Sequence, residues 1–318
     1  MSTKTRGASS PVEPIDPRGV GSRTQGPADP ALFCGLVDDA AVFPPGLAPL
    51  GRAVSDHLSR TRYAGLVGPL IVPATAAGEL AALACGWAAA RPRSARPSSR
   101  PLRVALVARP GASDLPVWEG VRLLARQPGV EVAGVEVGWS THWRDLLGLR
   151  VPVAVEIPRE GHAGAMADVG AAAHDAPSAS APLVQAKLRT GATPTWAWPD
   201  ERELARFVQG CVDHDLRFKL TGGLHHAVRG DHPAGGGGEP QHGLLNVLVA
   251  VRSALQGGRE ADLVPLLAER DPNALVPVAA GMAAEEAGAV RACFTAYGCC
   301  TVSDPIGELA ALGLLGEE

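Results

Sequence analysis

Two lysines close apolar runs in the same way. Lys187 lies in QAKLRTGA (185–192) and Lys219 in FKLTGGLHH (218–226), and each is soon followed by a break into Thr-Gly or Thr-Gly-Gly. If the two runs are adjacent strands, ~4.8 Å apart, inward side chains at similar height bring the ammonium groups within about 5 Å. At an effective dielectric of ~20 such a pair repels by ~3 kcal/mol. That is about two pKa units, enough with partial burial to bring one amine from ~10.4 toward neutrality. A neutral amine adds to a ketone or aldehyde, and the resulting iminium is an electron sink for making or breaking the adjacent carbon–carbon bond. The plainer alternative is that each lysine pairs with an inward carboxylate and fills space. Burying two lysines is costly without a use, which favours the chemical reading.

The elements that must carry these lysines recur along the chain. Eight short apolar runs are expected as strands, at 32–38, 65–73, 102–108, 130–138, 151–158, 182–188, 216–222 and 292–300. Segments of helical character separate them, such as ATAAGELAALACGWAAA, PVWEGVRLLARQ and DERELARFVQGCVD. Eight strand–helix units over one domain, residues 31–318, fit a (β/α)8 barrel better than an open doubly wound sheet, because no glycine-rich turn follows the first strand. Residues 1 to 30 are expected as a disordered tail, RPRSARPSSRP (91–101) as a surface loop and RGDHPAGGGGEPQHG (229–243) as a flexible one.

Strand parity then assigns faces. In LVQAKLR the alternate residues Val184, Ala186 and Leu188 are apolar and should meet the helical shell, which sends Gln185, Lys187 and Arg189 toward the axis. The same rule turns Arg217, Lys219 and Thr221 inward, together with Glu136 in GVEVG and Glu156 in VAVEIP. Two carboxylates and two amines would then share the C-terminal mouth, where barrel active sites lie.

Arg189, Thr190 and Gly191 after the first lysine, and Gly222 and Gly223 after the second, are candidates to hold a phosphate or carboxylate, the glycine segments through their backbone amides, with Gly298 of YGCC (297–300) completing the pocket. His225 and His226 stand where a general acid or base would stand, and Arg229 could bind an anionic group. With His242, and Asn246 one turn later, the two histidines could instead ligate a metal, although no HxH or HExxH spacing supports it. Asp38 and Asp39 sit at a strand-to-turn transition, where aspartate often only caps. Cys299 and Cys300 read as packed thiols, and Trp139, Trp143, Trp196 and Trp198 as loop residues that either cover substrate or pack on the surface.

KLRTG followed about thirty residues later by KLTGG resembles the paired lysine motifs of the deoxyribose-phosphate aldolases, class I aldolases with a (β/α)8 fold. The opening LVDDAAVFPP resembles that family's first strand and places Asp38 at its aspartate. The resemblance implies that Lys187 forms the Schiff base and that Lys219 perturbs it. It is confined to three short motifs. Arg189 replaces a small hydroxyl residue, LHHAVRG follows the glycine pair, and YGCC stands in place of a serine-containing phosphate loop, so the substrate is expected to differ.

Composition narrows the field. The balance of 29 basic to 33 acidic residues, for a net charge of −4, argues against a nucleic-acid partner. No apolar stretch suggests a membrane partner, and six cysteines without CxxC spacing fit a reducing cytoplasm. The expectation is a cytoplasmic, aldolase-like lyase acting on a small-molecule substrate, anionic or phosphorylated, through Lys187, Lys219, Asp38, Glu136 and Glu156, with no cofactor. A homo-oligomer is left open. The alternatives are a metal-assisted lyase or isomerase on the same barrel using His225, His226 and His242, and a barrel that binds without catalysis.

Overall fold

The computed structural model describes residues 26–90, 101–175, 183–193, 196–234 and 237–316. Eight parallel strands close into a barrel: β1 (Val37–Asp39), β2 (Val67–Pro73), β3 (Leu102–Val107), β4 (Val130–Gly138), β5 (Val153–Glu156), β6 (Val184–Arg189), β7 (Phe218–Thr221) and β10 (Phe294–Cys299). They are hydrogen-bonded in the order β1-β10-β7-β6-β5-β4-β3-β2. This is the expected (β/α)8 architecture. An antiparallel hairpin, β8 (Gly230–Ala234) with β9 (Gly237–Gln241), is inserted after β7.

The outward positions of the strands form the core with the helices. Phe218 of β7 lies against Phe207 of α5 (Glu201–Asp213), edge to face at 5.4 Å, and stacks on Phe294 of β10 at 5.1 Å. α5 starts where Asp200 accepts from the Glu203 amide while Glu203 reaches back to the Asp200 amide, a reciprocal cap. Its apolar stripe, Leu204, Phe207, Val208 and Cys211, recurs at helical spacing and is buried against the sheet. Burying each large side chain of this kind stabilises the fold by about 1.5–3 kcal/mol. α6 (Leu244–Leu255) is buried on nearly all sides because two further helices, α7 (Glu260–Ala268) and α8 (Pro272–Ala280), cover it before α9 (Ala284–Cys293) leads into β10.

Three expectations need correction. The first strand is only Val37–Asp39, because Pro30–Leu32 forms a 3-10 turn and Gly35 takes a left-handed φ of +57°. The segment expected as a flexible loop forms the β8–β9 hairpin, whose Asp231 is paired with Arg270 at 2.7 Å. Of the tail expected to be disordered, residues 1–25 lie outside the described residues, but Ala28 is buried and its amide donates to Leu314 O at 3.1 Å. Residues 91–100 of the expected surface loop also lie outside the described residues. Among the described residues no helix is long and apolar enough to cross a membrane.

Candidate active site at the barrel mouth

The predicted parity holds. In β6, Gln185 accepts from the Thr295 hydroxyl of β10 at 2.6 Å low in the barrel, and Lys187 stands one inward step above it. Register pairs Lys187 with Lys219 and with Glu156 on the flanking strands. Val184, Ala186 and Leu188 are buried in the shell.

The inward charges join into one chain. Lys219 Nζ donates to Asp38 Oδ2 and to Glu136 Oε1, each at 2.5 Å. Glu136 turns its other oxygen, Oε2, to Lys187 Nζ at 3.0 Å, and Lys187 lies 3.0 Å from Glu156 Oε2. Glu156 Oε1 in turn faces Arg189 Nε at 3.5 Å. Three carboxylates therefore alternate with three cations from the barrel interior toward the mouth. Lys187, Lys219, Asp38 and Glu136 are buried, and the side chain of Arg189 is 35% exposed. Such burial is tolerable only because every ion has an opposite neighbour.

The electrostatics differ from the like-charge estimate. Burial alone would lower the Lys219 ammonium, but Asp38 and Glu136 at hydrogen-bond distance raise its pKa above the usual lysine value. Burial would lift the Glu136 carboxyl, yet Lys219 and Lys187 together hold it down to about 2. Glu156 is likewise lowered against its burial, by Lys187 and then Arg189. Asp38 is the exception, raised because burial outweighs its Lys219 partner. Its Oδ1 is buried without a hydrogen-bond partner among the described residues. Gly68 of β2 makes room for that oxygen, since a Cβ there would stand 2.1 Å from it.

The two glycine loops meet above the lysines. The Thr190 amide donates to Thr221 O at 2.8 Å, and its hydroxyl donates to Gly222 O, tying the ends of β6 and β7. Gly222 and Gly223 take left-handed φ values of +68° and +75°, which favour glycine. A Cβ on Gly191 would approach Gly223 N at 3.3 Å, so the segments are in close backbone contact. Trp198 closes over Gly223, where a Cβ would lie 2.1 Å from the indole ring. Gly298 belongs instead to the barrel wall, in register with Asp38 and Thr221.

Other expected site residues are employed elsewhere. Arg229 binds Glu201 at 2.5 Å and His242 Nδ1 at 3.0 Å, and its amide donates to Asn246 Oδ1 at 2.9 Å. His242 also bonds Pro199 O at 2.8 Å, and burial followed by Arg229 pushes its pKa down to about 4. His226 bonds Glu308 of α10 (Ser303–Ala311) at 2.7 Å and stacks on His232 at 3.3 Å. His225 lies 3.6 Å from Cys299 Sγ and 3.7 Å from Cys300 Sγ. Arg229 is thus a latch for the hairpin and not an anion receptor, and His225, His226 and His242 do not share a centre. Among the described residues no group of three or more His, Cys, Asp or Glu side chains could hold a metal ion.

Trp139 and Trp143 both donate to Asp168 Oδ2, at 2.9 and 2.7 Å, while Arg144 holds Oδ1 at 2.8 Å. They brace α4 (His162–His174) through this carboxylate. Sequence reasoning passed over Asp168, Glu201 and Glu308, helical acids whose partners lie at least 24 residues away in the chain. Asp39, expected only as a cap, is paired with His57 Nδ1 at 3.0 Å.

Comparison with protein-family models, with curated proteins and with solved structures gives no match.

Proposed function

We propose that this barrel is a lyase of the class I aldolase type, in which Lys187 forms an imine with a small carbonyl compound and makes or breaks the adjacent carbon–carbon bond. The observation that carries this reading is the inward, buried Lys187 amine set between Glu136 and Glu156, each 3.0 Å away. Lys219 is the less suitable nucleophile: two carboxylates at 2.5 Å clamp it and raise its pKa. Its role is to remain an ammonium and hold Asp38 and Glu136.

The proton accounting closes on Glu156. The Lys187 ammonium gives a proton to the Glu156 carboxylate, whose Oε2 has no other partner among the described residues. The free amine adds to the carbonyl carbon, and one of its remaining protons passes to the oxygen, forming a carbinolamine. Glu156 then returns its proton to the departing hydroxyl, so that water leaves and the protonated imine remains. Glu156, again a carboxylate, takes the proton of the hydroxyl on the β carbon as the bond between the α and β carbons breaks; the electron pair passes to the iminium, giving an enamine and releasing one carbonyl product. The proton returns to the α carbon, and addition of water to the resulting iminium frees the second carbonyl product and restores the Lys187 ammonium.

Borohydride reduction in the presence of small aldehydes and ketones, followed by peptide mass mapping, tests the imine. An adduct on Lys187 that disappears in Lys187→Ala is expected, and no adduct with any carbonyl compound removes the reading. A second reading, a charged interior that serves stability alone, draws on the pairing of every ion in the chain. It predicts the absence of any adduct.

A further inference from the structure

Two cations face Glu156, and the reaction proposed above takes one of them away. Lys187 Nζ lies 3.0 Å from Oε2 and Arg189 Nε lies 3.5 Å from Oε1, both from β6, while the Glu136 carboxylate of β4 opposes them. Register sets Glu156 level with Lys187. Arg189, two residues further along β6, points the same way and stands ~6.6 Å nearer the mouth. Glu156 therefore spans two layers of the interior, with one oxygen turned to each cation. Glu156 is the one ion pair of Arg189 among the described residues. A Cβ on Gly222 would stand 3.3 Å from Arg189 Nη1, so the glycine leaves the guanidinium its place. The two cations are not equivalent. Lys187 ceases to be one when its proton moves to Glu156, and it stays neutral until the imine forms. In that interval the carboxyl must give its proton to the departing hydroxyl, and afterwards, as a carboxylate, it must take one from the substrate. Burial opposes the charged form at each point. An arginine keeps its charge throughout.

We propose that Arg189 is a positioning residue for Glu156: its lasting charge makes that carboxyl a ready proton donor while the carbinolamine loses water, and returns it to the carboxylate for carbon–carbon cleavage. The inference rests on the Lys187 imine reading and adds the group that keeps its proton carrier in step. It sets a pH limit. A Glu156 that is already protonated cannot accept the Lys187 proton, so imine formation fails on the acid side of the Glu156 titration. Removing Arg189 removes a cation that holds the carboxyl down, so the titration, and the acid limb of the rate with it, moves to higher pH. The Arg189 side chain is 35% exposed and that of Lys187 only 2%, so added salt screens the first far more than the second.

Two readouts on the full chain separate the role of Arg189 from the imine. The first is the titration of Glu156 itself, followed by NMR of carboxyl-labelled glutamate and assigned with Glu156→Gln, which needs no carbonyl compound. The second is the pH dependence of the rate at which cyanoborohydride traps propanal or acetone on Lys187, read by peptide mass mapping. In Arg189→Met the Glu156 titration and the acid limb of trapping should both rise by about one pH unit, and Arg189→Lys should restore most of that shift. In the unaltered chain, raising salt from about 0.1 to about 1 M should move both in the same direction, a result that needs no variant to fold. The salt effect should be smaller in Arg189→Met. A shifted titration with no adduct in any protein would remove the imine and leave Arg189 acting on Glu156. An adduct whose acid limb stays in place in Arg189→Met would remove the role of Arg189 and leave the imine. A Glu156 titration unmoved by salt and by Arg189→Met, or a shift that Arg189→Lys does not reduce, would equally overturn the proposal.

Discussion

Lys219 Nζ lies 2.5 Å from Glu136 Oε1 although two strands, β5 and β6, separate their own strands in the sheet. The contact therefore crosses the barrel interior. Because the other Glu136 oxygen meets Lys187 at 3.0 Å, one carboxylate stands between the two amines and neutralises the repulsion that strand adjacency alone implies. The consequence for chemistry is a division of labour, with Lys219 fixed as an ammonium and Lys187 more loosely held.

Glu136→Gln should be the most damaging conservative change in the interior. It leaves two buried ammonium groups facing an amide, and breaking a buried ion pair costs about 3–5 kcal/mol. An unfolding free energy lowered by that amount, measured by urea denaturation, is expected. A shift below about 1 kcal/mol would mean that Glu136 carries little of the charge balance.

Acid should weaken the fold in two overlapping stages. His242 has a folded pKa of about 4 against an ordinary 6.5, so the unfolded chain binds the proton more readily and stability falls as pH drops from 6.5 toward 4. Glu136 has a folded pKa of about 2 against 4.5, and its contribution, full above 4.5, is lost as pH falls through about 2. Asp38, raised by burial, has the opposite sign and offsets part of the second loss. Lys219, raised by its carboxylates, contributes fully below its ordinary 10.5 and loses that contribution as pH rises beyond it. Urea midpoints against pH for the unaltered chain and His242→Gln check the first stage. The decline between pH 6.5 and 4 should be shallower in the variant.

Gly223→Ala should destabilise by about 1–3 kcal/mol, since it forces a side chain into a left-handed φ of +75°. It also drives a Cβ into the Trp198 ring. The two causes separate experimentally, because removing the indole in Trp198→Ala relieves only the second. The double variant should recover part of the loss in thermal melts, with the strain of the left-handed backbone remaining.

The barrel and the facing of its charges were readable because alternation has a period of two: apolar Val184, Ala186 and Leu188 commit Gln185, Lys187 and Arg189 to the other face. What parity does not contain is distance across the axis. It lists Glu136, Glu156, Lys187 and Lys219 as inward without saying that Glu136 reaches over β5 and β6, so the repulsion was estimated between neighbours with no counterion. Arg229 misled for a related reason. Its place beside the seventh strand suggested anion binding, while Glu201 and His242, which occupy its guanidinium, arrive from α5 and from the far end of the hairpin. The hairpin itself was hidden by glycines that read as flexible, and β1 was overextended because an apolar run does not show where Gly35 turns left-handed.

Lys219→Met probes whether Asp38 is a partner or a bystander. Without the ammonium, Asp38 and Glu136 lose their shared counterion, and a loss of about 3–5 kcal/mol is expected. Asp38 is the carboxyl already raised by burial, and its Oδ1, beside Gly68, lacks a partner among the described residues, so it is the group that takes up a proton when Lys219 is gone. Asp38→Asn supplies that neutral state in advance. The double variant Asp38→Asn with Lys219→Met should therefore be more stable than the sum of the single losses by about 1–3 kcal/mol, a coupling measurable by urea denaturation of all four proteins. Strictly additive losses would show that the 2.5 Å contact between Asp38 and Lys219 contributes nothing, and would leave Glu136 as the sole anchor of the second lysine.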